Sequence, residues 1–170
     1  MTTEKYVIFS DVHGRRDRVR ELISRHRDAT AFLFLGDGLS DLPEAEAPIL
    51  SVRGNCDFTL DKTTPEECML DLGTGKILLM HGHRLGVKSG IERALHYASE
   101  RGAVALLYGH THVREERYLP EGTEIFFGER LPRPMWVFNP GSLGNPPDGI
   151  PSYGLLQIRG GQMLFSHGTL

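Results

Sequence analysis

Short apolar runs alternate along the chain with polar tips punctuated by glycine. "YVIF" at 6–9, "AFLFL" at 31–35, "ILSV" at 49–52, "ILLM" at 77–80 and "AVALL" at 103–107 are each four or five residues long. Rich in Val, Ile, Leu and Phe, they read as strands buried on both faces. Two stretches carry the helical period instead. Over Asp17–Arg27, Val19, Leu22 and Ile23 share a face; over Ser89–Arg101, Ile91, Ala94, Leu95 and Ala98 do, and Arg101 followed by Gly102 closes that helix. Cys68–Leu72 and Ile77–Met80 flank "GTGK" and predict a hairpin. Gly36–Pro48 reads as an acidic loop, and Met135–Phe138, Tyr153–Ile158 and Met163–Phe165 as further strands, the last two joined across "RGGQ". Val113–Arg133 is less regular, with strands expected near Tyr118 and over Ile125–Phe127. The early β-α-β alternation predicts a sheet covered by helix, and the later strands a second sheet packed on the first. A chain of 170 residues is the size of one ordinary domain, 1–170.

The tips carry the chemistry. Asp11 and His13 follow the first run, Asp37 the second, Asn55 and Asp57 the third, His81 and His83 the fourth, His110 and His112 the fifth. Loops beyond the carboxyl ends of strands are where mixed α/β folds gather ligand groups. Taken singly, the "DVHG" and "GDG" tips read as ordinary turns, Asp-Gly being a common one, while the histidines two apart in "GHTH" suit a metal as well as a turn; the argument rests on their joint occurrence. The donors are oxygen and imidazole, so a thiolate zinc cage is disfavoured and Mn, Fe, Co, Ni or Zn are suited. One ion rarely needs so many donors, whereas two ions about 3.5–4 Å apart would use them, with one carboxylate able to bridge. The adjoining glycines let backbone approach closely. Asp57 is expected to orient the Asn55 loop and His83 to lie behind the ligands. His26, His96 and His167 have no partner motif and read as helix or surface residues; Phe126, Phe127 and Trp136 read as core or hairpin packing.

Composition narrows the classes. A net charge of −3 argues against a non-specific nucleic-acid binder. Cys56 and Cys68 make no disulfide framework or paired zinc motif. No apolar run approaches the ~20 residues needed to cross a bilayer, so the expectation is a cytoplasmic protein without a membrane partner.

With "NPGS" at 139–142 added, the set "SDVHG", "GDG", "GNCD", "HGH", "GHTH" resembles the calcineurin-like metallophosphoesterase superfamily, and within it the small phosphodiesterases of the YfcE type. The likeness runs from Tyr6 to about Ile158, and six motifs in matching order make it specific. It implies an α/β fold, a four-layer αββα sandwich of two mixed sheets flanked by helices. It also implies Asp11, His13 and His112 around a first metal, Asn55, His81 and His110 around a second, and Asp37 between them. Asp37, Asn55 and His81 would serve catalysis as well. The implied cofactors are two divalent transition-metal ions, manganese first, with Ni, Fe, Co and Zn also suited. The implied reaction is hydrolysis of a small phosphodiester or phosphate ester by a hydroxide shared between the ions, with no protein nucleophile.

The chain departs from the resemblance at four places. Cys56 stands where the wider superfamily often has histidine, which removes the obvious general acid and predicts a preference for activated diesters. "GDGLSD" lacks the arginine of the protein serine/threonine phosphatases, disfavouring a phosphoprotein substrate. "NPPDG" lacks an arginine that relatives often carry, and Arg53 or Arg84 is expected to compensate. Val113–Arg133 is long for a connection and is expected to shape access or join copies in a homo-oligomer. The rival reading is a non-catalytic metal-binding scaffold on the same fold, like the retromer scaffold subunit; retention of all the implied donors favours the enzyme.

Overall fold

The structure is a computed structural model describing residues 3–57 and 63–170. Three parallel strands, β1 (Glu4–Phe9), β2 (Ala31–Phe34) and β3 (Ile49–Ser51), form one half of the first sheet. Two antiparallel strands, β11 (Ser152–Arg159) and β12 (Gln162–Thr169), complete it in the order β12-β11-β1-β2-β3. The second sheet has a parallel trio, β5 (Lys76–Met80), β6 (Ala103–Tyr108) and β10 (Met135–Pro140). It is flanked by antiparallel β4 (Glu67–Asp71) and β7 (Arg114–Leu119), giving β4-β5-β6-β10-β7. Helices α1 (Arg16–Arg25) and α2 (Glu92–Glu100), two 3₁₀ turns at Leu39–Asp41 and His83–Leu85, and a small ribbon, β8 (Glu124–Phe126) with β9 (Glu129–Arg130), make up the rest of the regular structure described.

Side-chain alternation sorts these elements into layers. On β1, Tyr6 and Ile8 point between the sheets, where Leu33, Leu35, Ile77, Leu79, Leu107 and Phe138 join them. Val7 and Phe9 point the other way, and with Phe32 and Phe34 they bury Val19 and Leu22 of α1. On the second sheet Leu78, Met80, Leu106 and Val137 face outward onto Ala94, Leu95 and Ala98 of α2. Helix, sheet, sheet and helix therefore stack as the resemblance implied. Each fully buried aliphatic or aromatic side chain contributes roughly 1.5–3 kcal/mol relative to exposure.

Differences from the sequence reading lie at the edges. Helix α1 ends at Arg25, where the His26 N–H bonds the Ile23 carbonyl. Strand β7 covers all of "REERYL", a charged sequence with little apolar signal, because it need only pair with β10 at the sheet edge. Ribbon β8–β9 lies over α2, with Ile125 and Leu131 buried in that cluster. Phe127, read as packing, is fully exposed at the ribbon's turn. Trp136 does pack, between Tyr118 and Phe165.

The topology has one consequence for function. Strands β1, β2, β3, β5, β6 and β10 are parallel within their sheets, and the loops carrying the polar motifs all leave from their carboxyl ends.

Candidate metal centre

Those loops bring together all of the sequence-predicted donors: Asp11, His13, Asp37, Asn55, His81, His110 and His112. Ligand atoms of Asp11, His13 and His112 lie within 4.8 Å of one another, as do those of Asp37, His81 and His110. In the first group, Asp11 Oδ1 is 3.1 Å from His112 Nε2 and 3.6 Å from His13 Nε2, and the two imidazole nitrogens are 3.2 Å apart. In the second, His81 Nε2 is 3.2 Å from Asp37 Oδ2 and 3.1 Å from Asn55 Oδ1. Asp37 Oδ2 is also 3.9 Å from His13 Nε2, so this one carboxylate oxygen faces both groups.

The protein's own hydrogen bonds aim these atoms. The Leu35 carbonyl, 2.8 Å from His81 Nδ1, can only accept, so Nδ1 carries a proton and Nε2 is directed inward. The Asn145 carbonyl does the same for His112 Nδ1 at 2.9 Å. Asp11 Oδ2 accepts from the Ser10 hydroxyl (2.7 Å) and the His110 N–H (3.0 Å), leaving the buried Oδ1 with only the His112 and His13 imidazoles beside it. Asp37 Oδ1 accepts from the Cys56 N–H at 2.8 Å, leaving Oδ2 for the site.

Backbone conformation is equally specific. The non-glycine residues with left-handed φ among the described residues are Asp11, His13, Asp37, His110 and His112, all of them predicted donors. Such φ values are uncommon outside glycine and cost of order 1–3 kcal/mol each when held by surrounding structure. Asp57 does much of the holding: its carboxylate accepts from the N–H groups of Asp37, Gly38, Leu39 and Gly54 at 2.8–2.9 Å. The expectation that Asp57 orients the Asn55 loop extends, in the structure, to the Asp37 loop. Gly54 is required there, because a Cβ would meet Asp37 Oδ1 at 2.1 Å. Gly109 is required likewise, against Ser10 Oγ at 2.1 Å. Below the histidine loop, Asn139 of "NPGS" donates to the Gly109 carbonyl and to Thr111 Oγ1, and the Ser142 hydroxyl donates to the Asp11 carbonyl.

Electrostatics follow from burial. Burial alone would raise the Asp11 carboxyl, but hydrogen bonds with His112 and His13, the charge of His81 and the Ser10 hydroxyl outweigh it and hold the group well below the usual carboxylate range. Burial first, then the charges of His81 and Lys88, push His110 down to about 4. A hydrogen bond with Asp11 raises His112, and Lys88 works against it.

The donor set fits divalent ions. Lone pairs of Asp37 Oδ2, Asn55 Oδ1 and His81 Nε2 converge, and only a cation, proton or metal, reconciles them. The fully buried Asp11 Oδ1, set against the His112 and His13 ring nitrogens, makes the same demand. Carboxylate, amide oxygen and imidazole without thiolate is a donor set for borderline to hard transition metals.

Four features escaped the sequence reading. Cys56 Sγ lies within 4.8 Å of ligand atoms of His13 and Asp37. Asp41 accepts from the Gly14 N–H at 2.8 Å and so ties the first loop to the second. His167, read as a surface residue, stacks on Phe138 and bonds the Asn139 carbonyl. Arg53 and Arg84, expected to offer a cation, both pair with Glu66, whereas Lys88 bears electrostatically on the site histidines without any hydrogen bond or ion pair among the described residues. Only the fold joins these groups, so the sequence carried no signal for them.

Comparison with known proteins gives a consistent picture. The family model for the calcineurin-like phosphoesterase superfamily domain matches residues 5–161. The probable metallophosphoesterase YsnB of Bacillus subtilis is 33% identical, over 82% of this chain and 75% of that protein. Phosphodiesterase YfcE of Escherichia coli is 33% identical over 89% and 86%. Among solved structures, a predicted phosphoesterase from Streptococcus pneumoniae superposes with a TM-score of 0.76 at 27% identity, covering 99% of this chain and 91% of that one. Vacuolar protein sorting 29 from Cryptosporidium parvum shares the fold at a TM-score of 0.67 and 17% identity, covering 100% and 99%. With the ordered motifs, the layered sheets and these matches in agreement, the chain belongs to the calcineurin-like phosphoesterase superfamily.

Proposed function

We propose that this chain is a dinuclear metal-dependent phosphodiesterase acting on a small phosphodiester. The observation that carries the reading is the convergence of buried, mutually unsatisfied lone pairs around Asp37, whose Oδ2 faces both donor groups. Asp11, His13 and His112 would hold one ion and Asn55, His81 and His110 the other, with Asp37 shared; manganese suits the set. Bound ions supply Lewis acidity and a water acidified towards neutrality.

The residues of the chain provide orientation and charge. Leu35 and Asn145 fix the inward faces of His81 and His112, and outer partners of this kind govern ligand geometry. Lys88, whose charge reaches His110 and His112, would offer a cation to a phosphoryl oxygen. Leaving-group protonation is the weak point. Burial, followed by the Asp37 carboxylate, raises the Cys56 thiol, so it stays protonated and is a poor acid towards a departing alkoxide. Activated diesters, whose leaving groups need no proton, are accordingly the favoured substrates.

Manganese-dependent hydrolysis of bis-p-nitrophenyl phosphate tests the reading. Asp37→Asn and His81→Ala should each abolish it, and Lys88→Ala should raise KM about fivefold, the equivalent of roughly 1 kcal/mol. Fast turnover of an alkyl phosphomonoester, or full activity in Asp37→Asn, would overturn it.

A further inference from the structure

The donor loops bring one further group of ligand atoms together at the rim of the metal centre. Cys56 Sγ, a ring nitrogen of His13 and a carboxylate oxygen of Asp37 lie within 4.8 Å of one another. His13 Nε2 and Asp37 Oδ2 are themselves 3.9 Å apart. Two ligand atoms on one tetrahedral zinc ion stand about 3.4–3.6 Å apart, given Zn–S of about 2.3 Å and Zn–N or Zn–O of about 2.0–2.2 Å. The three atoms therefore need only small side-chain rotations to share an ion.

Two observations separate this trio from a thiol that merely reaches solvent. The first is that the sulfur is held in place. Asn55 Nδ2 donates to Cys56 Sγ at 3.3 Å, and the Cys56 N–H donates to Asp37 Oδ1 at 2.8 Å. Sulfur and carboxylate are thus fixed relative to each other, and the amide N–H favours negative charge on the sulfur. The second is the carboxylate. Asp37 is only 2% exposed, yet its Oδ2 is aimed at His81 Nε2, 3.2 Å away. The Leu35 carbonyl holds the Nδ1 proton of His81, so this contact sets lone pair against lone pair until a cation enters. Cys56 and His13 are exposed, so an ion from solvent meets them before the buried donors.

Donor chemistry then sorts the ions. Thiolate is a soft ligand that favours zinc and its heavier congener cadmium, whereas carboxylate and other oxygen ligands suit manganese. We propose that Cys56, His13 and Asp37 form an alternative site for a thiophilic divalent ion, of the zinc and cadmium class, which manganese does not use. The ion displaces the thiol proton to solvent and gains thiolate, imidazole and carboxylate. His13 and Asp37 belong to this trio and to the dinuclear donor set alike, so the two placements exclude each other. The site itself does not require hydrolysis; its competition with manganese rests on the proposed dinuclear reading.

The metal-free full-length chain, titrated with cobalt(II) or cadmium, tests the proposal by absorption. A saturable thiolate-to-metal charge-transfer band is expected in the parent and in Cys68→Ser, and its loss in Cys56→Ser. His13→Ala should alter the cobalt spectrum and weaken binding, which a thiol capturing metal alone would not show. In the manganese-loaded parent, cadmium should release manganese, read by electron paramagnetic resonance, at lower concentration than in Cys56→Ser. Absence of the band, its persistence in Cys56→Ser, its loss in Cys68→Ser or an unaltered cobalt spectrum in His13→Ala would each overturn the proposal. A parent that shows the band but binds no manganese would overturn the dinuclear reading and leave the Cys56 site standing. Serine differs from cysteine by one atom at an exposed position, so an unaltered melting temperature verifies that Cys56→Ser folds.

Discussion

At the scale of single residues, Asp57 matters as much as the donors it positions. Its two oxygens take four backbone N–H groups that would otherwise be unpaired in the Asp37 and Asn55 loops. Asp57→Asn keeps the size but replaces one acceptor oxygen with a donor NH₂, which must then face N–H groups. The expected result is a loss of metal affinity of about 10–100-fold, the usual consequence of removing an outer-shell partner. Calorimetric titration with manganese would measure it, and unchanged affinity would contradict the role. Much of this grouping was legible beforehand, because Asp11, Asp37, His81 and His110 stand within three residues of the ends of apolar runs, and parallel strands deliver their carboxyl ends to one rim of the sheets. Lys88 and Asp41 were not, because each sits farther along a motif loop, four or more residues past its donor, and only the folded backbone brings it back towards the site.

The elements divide in the same way. Strands such as β1, β2 and β5 were legible because burial on both faces leaves a continuous apolar run. Edge strands β7 and β12 were only partly so, since a strand paired on one side tolerates charge and polarity on its exposed positions. Ribbon β8–β9 mixes both cases. Leu131 is buried beneath α2 and Phe127 is wholly exposed at the turn. Leu131→Ala should therefore cost about 2–5 kcal/mol in urea denaturation, as cavity-forming core substitutions do. Phe127→Ser should stay within about 0.5 kcal/mol of the parent, as surface changes do. Equal effects would mean that the ribbon does not pack as described.

For the whole molecule, His26 links packing to acid sensitivity. Burial, then the charge of Lys5 and to a lesser degree Arg25, lowers its imidazole, with Asp28 opposing them. The unfolded chain therefore binds a proton at a higher pH than the folded one does. Folding stability from this group is present above the unfolded value and is lost as pH falls through it towards the folded value. Denaturant unfolding at pH 7.5 and at pH 5.5 should show a smaller acid loss in His26→Phe than in the parent; identical losses would remove His26 from the account. No described helix is long and apolar enough to cross a membrane, and the layers of the sandwich bury their apolar faces against one another.

The left-handed backbone at five donor positions has a thermodynamic consequence. In each of them a carboxylate or imidazole occupies a conformation that suits asparagine or glycine better. Without ions to compensate, erasing a donor relaxes the main chain: metal-free His13→Asn should melt higher than its parent, by about 1 kcal/mol or less in stability. The bare fold then gains by losing any one of these five side chains, and ions bound between them are what would repay the strain of keeping all five.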